Sequence, residues 1–139
     1  MPEHRPYSRA LDRLKAAGLR PTRQRMALAK LLFDGGDRHV TAEQLHEQAL
    51  DAAMRVSLAT VYNALHQFTS AGMLREVVVE SGRAYFDTNT SDHHHFYHVA
   101  DGKLEDIAGD RLAVATLPPP PAGTLIERVD VIIRVKGER

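Results

Sequence analysis

The sequence predicts an α+β chain: an N-terminal winged helix-turn-helix domain over residues 1–88, followed by a small C-terminal α/β dimerisation domain over residues 89–139. Capped stretches with apolar residues at helical spacing fill the chain as far as Gly72, where the period changes to that of a two-stranded hairpin. Helices followed by a hairpin is the order of a helix-turn-helix with a wing. The polar stretch Thr88-Asn-Thr-Ser-Asp92 then reads as a hinge, and short β-rich runs beyond it begin a second unit.

Each element follows from its residues. Ser8 caps a first helix through Leu11 and Leu14 that stops at Gly18, and Thr22 caps a second through Met26, Ala29 and Phe33 that stops at Gly35-Gly36. Thr41-Ala-Glu-Gln44 is a capping box opening the third helix, with Val40 ahead of it to staple onto Leu45. Ser57 caps the fourth, Val56 and Val61 occupy its staple positions, and Leu58, Val61, Leu65 and Phe68 recur at helical spacing. The β-rich runs Met73 to Glu80 and Arg83 to Phe86 flank a turn at Ser81-Gly82. In the second unit, Phe96 to Val99 and Lys103 to Ile107 read as strands around Asp101-Gly102. Pro118 to Pro121 exclude helix, and the alternating run Leu125 to Val135 reads as a buried strand able to pair across a dimer.

With 139 residues, 43% of them hydrophobic, the chain suits one ordinary domain or two small ones that association into a homodimer would support. It contains neither an apolar run of membrane length nor a basic-then-apolar leader, so a cytoplasmic protein without a membrane partner is expected. It has no cysteine, which leaves nitrogen and oxygen ligands for any transition metal. The net charge is zero, yet Arg5, Arg9, Arg13, Lys15, Arg20, Arg23, Arg25 and Lys30 face only Glu3 and Asp12 in the first thirty residues. Such a basic arm suits a polyanion.

Burying the apolar stripe of the fourth helix turns Ala59, Asn63, His66, Gln67 and Ser70 outward. That helix face carries no carboxylate. Asparagine and glutamine amides pair with adenine and alanine suits a thymine methyl, so double-stranded DNA is the expected partner. No His-Glu-x-x-His, Gly-x-Ser-x-Gly or phosphate loop is present, and an enzyme is not expected.

Four of the eight histidines fall within six residues, in Asp92-His-His-His-Phe-Tyr-His98. In an extended segment His93 and His95 share one side and His94 takes the other, so the run serves two sites or grips one from a loop. Imidazole suits zinc, iron and heme iron alike, and manganese more weakly.

The segment Val56-Ser-Leu-Ala-Thr-Val-Tyr-Asn-Ala-Leu-His-Gln-Phe-Thr-Ser-Ala-Gly-Met-Leu74 resembles the recognition helix of the ferric uptake regulator (Fur) superfamily, and Ala17 to Arg25 is similar to its N-terminal arm. His-His-His-Phe-Tyr, Leu117-Pro-Pro-Pro-Pro-Ala and Glu127 to Val135 resemble its iron response regulator (Irr) branch, as does Asn63 where many relatives carry arginine. The resemblance implies a repressor that binds an inverted-repeat operator as a homodimer when iron is scarce and is released by heme on His93, His94 and His95. The alternative is a heme-independent Fur-type sensor of iron, manganese or zinc. It implies DNA contacts at Arg20, Ser57, Ala59, Thr60, Tyr62, Asn63 and Gln67. It further implies a divalent metal held by His39, Asp87, His93, His95 and Asp106, with Asp87 and Asp106 standing where relatives carry glutamate. A second family site finds Ala113 and Val129 near the expected positions and is expected to be missing.

Overall fold

The computed structural model describes residues 7–80 and 82–138, so Glu3, Arg5 and the turn residue Ser81 lie outside the described residues. The chain divides into two units, Met1–Thr90 and Ser91–Arg139.

The first unit begins with α1 (Ser8–Ala16) and α2 (Arg23–Phe33). Ser8 is the first helical residue rather than the cap, a correction of one position: the Tyr7 carbonyl already accepts the Leu11 N–H at 2.9 Å, and no side chain caps the end. At the other end Gly18 adopts φ +75°, a left-handed conformation that glycine takes without a Cβ penalty. Thr22 caps α2 as expected, its hydroxyl accepting the Arg25 N–H at 3.1 Å.

Next come β1 (His39–Val40), α3 (Ala42–Asp51) and α4 (Leu58–Ser70). The capping box of α3 is complete: Thr41 Oγ1 accepts the Gln44 N–H at 3.1 Å and Gln44 Oε1 accepts the Thr41 N–H at 3.0 Å. Ser57 Oγ accepts the Thr60 N–H at 3.1 Å and opens α4. Val40 with Leu45, and Val56 with Val61, belong to one core that also takes in Leu14, Leu28, Leu65, Phe68 and Phe86. The wing is β2 (Arg75–Glu80) and β3 (Arg83–Asp87), antiparallel, with β1 added on the far side of β3 to give the order β1-β3-β2. The two-residue β1 has too little pattern to show in a sequence. It forms because Thr88 N–H donates to the Arg38 carbonyl and the Arg38 N–H to Thr88 Oγ1, both at 2.9 Å, which brings His39 and Val40 opposite Asp87 and Phe86.

The second unit is a three-stranded sheet of order β5-β4-β6, built from β4 (His94–His98), β5 (Lys103–Ile107) and β6 (Ile132–Val135). Strand β4 starts two residues earlier than the pattern suggested and so contains His94 and His95. It runs antiparallel to β5 and parallel to β6, and the long proline-bearing connection after β5 supplies the crossover that a parallel pair needs. Among the described residues of the single chain, the run from Leu125 to Val135 is not one buried strand: Ile132–Val135 alone pairs, with β4, and Leu125 is 92% exposed. Alternation supplies a face but no hydrogen-bond partner, and within the chain the run meets β4 only from Val131 onward. Among the described residues no helix is long and apolar enough to cross a membrane.

Candidate metal centre and nucleic-acid interface

The pleat of β4 sends alternate side chains to opposite faces, and His95 and Tyr97 turn inward while His94, Phe96 and His98 stay half-exposed. His93, one residue ahead of the strand, shares the inner side with His95; they are 4% and 2% exposed. Register puts His95 opposite Asp106 on β5. The result is a cluster: His95 Nε2 lies 3.3 Å and His93 Nε2 3.7 Å from Asp106 Oδ1, and the two imidazole centroids are 4.6 Å apart.

Neighbouring groups set the chemistry of these rings. His93 Nδ1 is 2.7 Å from the Ser91 carbonyl. A carbonyl only accepts, so Nδ1 carries a proton, and in its neutral form the ring turns the Nε2 lone pair toward Asp106. Fitting a cation to this donor set is straightforward. Ligands about 2.1 Å from a tetrahedral ion stand about 3.4 Å apart, close to both separations from Asp106. Gly109 lies against the backbone just ahead of β4, where a Cβ would meet the Asp92 carbonyl oxygen at 2.7 Å.

His94 does something different. Its Nδ1 accepts the Val131 N–H at 3.1 Å, while the Val131 carbonyl accepts the His95 N–H at 3.2 Å, so the ring fastens the start of β6 to β4. With Nδ1 accepting, the neutral ring bears its proton on Nε2. His98 Nε2 lies 3.2 Å from Glu105 Oε1 on the outer side.

In the first unit, His39 and Asp87 are cross-strand partners, and Arg75 stands opposite Asp87 on its other flank. Asp87 is 1% exposed and its Oδ1 accepts the Asn89 N–H at 2.9 Å; Arg75 is 5% exposed. The His39 ring meets Tyr85 edge-on. Two groups of the expected ligands are therefore assembled within their own units: His39 with Asp87, and His93 with His95 and Asp106. The cation beside Asp87 was not foreseen, because it depends on strand register.

On α4, Ala59, Asn63, His66, Gln67 and Ser70 are all exposed. Asn63 makes no side-chain hydrogen bond among the described residues. The other expected DNA contacts are engaged to different degrees. Ser57 Oγ serves the helix cap and lies 2.9 Å from Thr60 Oγ1. Gln67 Oε1 accepts from Arg25 Nη2 at 2.9 Å, and Arg25 Nη1 donates to the Arg20 carbonyl at 2.9 Å. Tyr62 Oη donates to Glu43 Oε1 at 2.9 Å. That hydrogen bond, then burial and the charge of Glu43, raise the Tyr62 pKa above its ordinary value. Glu43 on α3 thus brings a carboxylate beside a helix face that has none of its own. Burial lowers the pKa of Arg38, whose Nη1 donates to the Leu31 carbonyl at 3.1 Å.

Residues 16–116 match the ferric uptake regulator family. The ferric uptake regulation protein of Shigella flexneri is 34% identical over 100 residues, covering 71% of this chain and 68% of that protein. The fold is similar to that of the ferric uptake regulator from Pseudomonas aeruginosa solved with manganese, with a TM-score of 0.69 and 23% identity over 94% of this chain and 98% of that one. The Vibrio cholerae ferric uptake regulator is matched with a TM-score of 0.69 and 22% identity over 90% of this chain and 97% of the other.

Proposed function

Because this chain belongs to the ferric uptake regulator family, we propose that it is a metal-responsive transcriptional regulator and not an enzyme. In this reading it is a cytoplasmic homodimer that binds double-stranded DNA through α4 and the basic arm, and responds to iron, manganese or zinc. The supporting observation is the cluster of His93, His95 and Asp106, whose ligand atoms lie within 4.8 Å of one another.

Within that site the Ser91 carbonyl holds the tautomer of His93, and the pairing of β4 with β5 holds His95 against Asp106. A bound divalent cation supplies the positive charge that these donors face. His39 and Asp87 are carried as further ligands on the resemblance, supported by their pairing across β1 and β3. The cation changes DNA affinity only as far as it binds the DNA-competent arrangement more tightly than the other; a ten-fold change needs about 1.4 kcal/mol of such preference.

A heme-released regulator of the Irr type is the finer reading that the triple histidine suggests. Two features favour the bare cation instead. A porphyrin needs open approach to its axial nitrogen, whereas His93 and His95 are 4% and 2% exposed. The His94 Nδ1 lone pair is taken by Val131. The deciding experiment is pull-down of genomic fragments by metal-stripped protein, alone, with manganese or zinc, and with heme. Retention that depends on a divalent cation and is lost on chelation is expected. Retention without metal, abolished by heme alone, would overturn this reading in favour of the heme sensor.

A further inference from the structure

We propose that Arg25 is a positioning residue that locks the backbone bearing Arg20 to the reading helix α4, and thereby decides which edge of Gln67 faces a base. The inference rests on the DNA-binding reading above and deepens it. Arg25 sits in the first turn of α2, where its own N–H is held by the Thr22 cap. Its two terminal nitrogens then divide: Nη1 goes to the Arg20 carbonyl and Nη2 to Gln67 Oε1, each at 2.9 Å, across 42 residues of sequence in the second case.

The stretch this holds has little other freedom. Leu19 N–H is tied back to the Leu14 carbonyl at 2.9 Å and Thr22 is fixed as a cap, so Arg20 and Pro21 bridge two anchored ends. Proline fixes its own φ and restricts the residue before it to extended backbone. The Arg25 bond to the Arg20 carbonyl removes the remaining motion about this short bridge. Guanidinium is planar and offers its donors in a rigid fork, so one side chain orders both acceptors; an ammonium is a point donor on a flexible stem and does not reproduce that geometry.

A specificity consequence follows from the chemistry of the fork. Guanidinium only donates, so the Gln67 amide must turn its oxygen toward Arg25 and leave its NH2 outward. A bidentate pair with adenine uses both the oxygen and the NH2 of the amide. Held this way, Gln67 presents its NH2 as a donor to an acceptor such as a purine N7, guanine O6 or thymine O4, and the bidentate pair that would single out adenine is weakened.

The test uses the full chain with Arg25→Ala and Arg25→Lys. Without DNA, backbone order parameters of residues 18–22 should fall in both variants while helix content stays as in the wild type. On a recovered DNA fragment, Arg25→Lys should lose affinity almost as fully as Arg25→Ala, by about ten-fold, with the salt dependence unchanged. Should lysine restore affinity, alanine lower the salt slope by about one and the 18–22 backbone stay ordered in both, Arg25 is a phosphate contact and the proposal is overturned. Wild-type protein that retains no DNA refutes the DNA-binding reading, whereas unchanged order in residues 18–22 refutes the clamp by itself.

Discussion

Asn63 offers the cleanest separation of reading from folding. Its side chain is exposed and makes no hydrogen bond among the described residues, so Asn63→Ala breaks nothing inside the protein. Asparagine is also the poorer helix former, and within α4 its replacement by alanine should stabilise the fold by roughly 0.5 kcal/mol. If the amide pairs with a base, the variant loses about 1–3 kcal/mol of discrimination, which is about five- to hundred-and-fifty-fold in affinity. Stability and DNA affinity should therefore move in opposite directions. Ser57→Ala provides the contrast, because its hydroxyl holds the α4 cap and its loss should lower the melting temperature. The assay is fluorescence anisotropy at fixed salt on a recovered fragment and on duplexes altered one base pair at a time, beside thermal melts of each variant. Loss by one factor on every duplex, or a fall in melting temperature matching the fall in affinity, would refute the base-reading role.

His95→Ala should weaken manganese or zinc binding by about a hundred-fold or more in chelator competition, because losing a ligand costs at least the upper end of what losing an orienting partner does. His94→Ala should leave that affinity unchanged and cost about 1 kcal/mol in denaturant unfolding through the lost bond to Val131; equal loss of metal affinity in both would put the ligands on the wrong face of β4. Tyr62 has a raised pKa with Glu43 as the main cause, so the folded state favours the protonated phenol. That stabilisation is present below the ordinary tyrosine value and is lost as pH climbs through the raised one. Absorbance titration should show a late-ionising tyrosine that Glu43→Gln returns toward the ordinary value, and identical curves would count against the hydrogen bond. Thr41→Ala removes the capping box and should cost about 1 kcal/mol of stability, measured by urea unfolding.

What was legible beforehand was local. Thr22, Thr41 and Ser57 cap helices because each hydroxyl meets a backbone amide three residues on, a distance over which sequence and space coincide. The outward set on α4 follows from helical period in the same way, and the split of His93 and His95 from His94 follows from the two-residue period of extended backbone. The histidines of the metal cluster could be named from their run in the sequence, and its aspartate from the family resemblance. Tertiary structure decided the rest. The strand at Leu125 to Val135 shrank to its last four residues because a strand exists only where a partner accepts its hydrogen bonds. Arg75 came to flank Asp87, and Asp106 to face His95, through strand register. Tyr62 met Glu43 and Gln67 met Arg25 through the packing of separate helices. Sequence alone thus determined which chemical groups this protein owns and which face of each element they occupy. Only the fold decided which groups are already occupied by one another, because a hydrogen bond or a ligand contact is set by distances of a few ångströms between residues tens of positions apart.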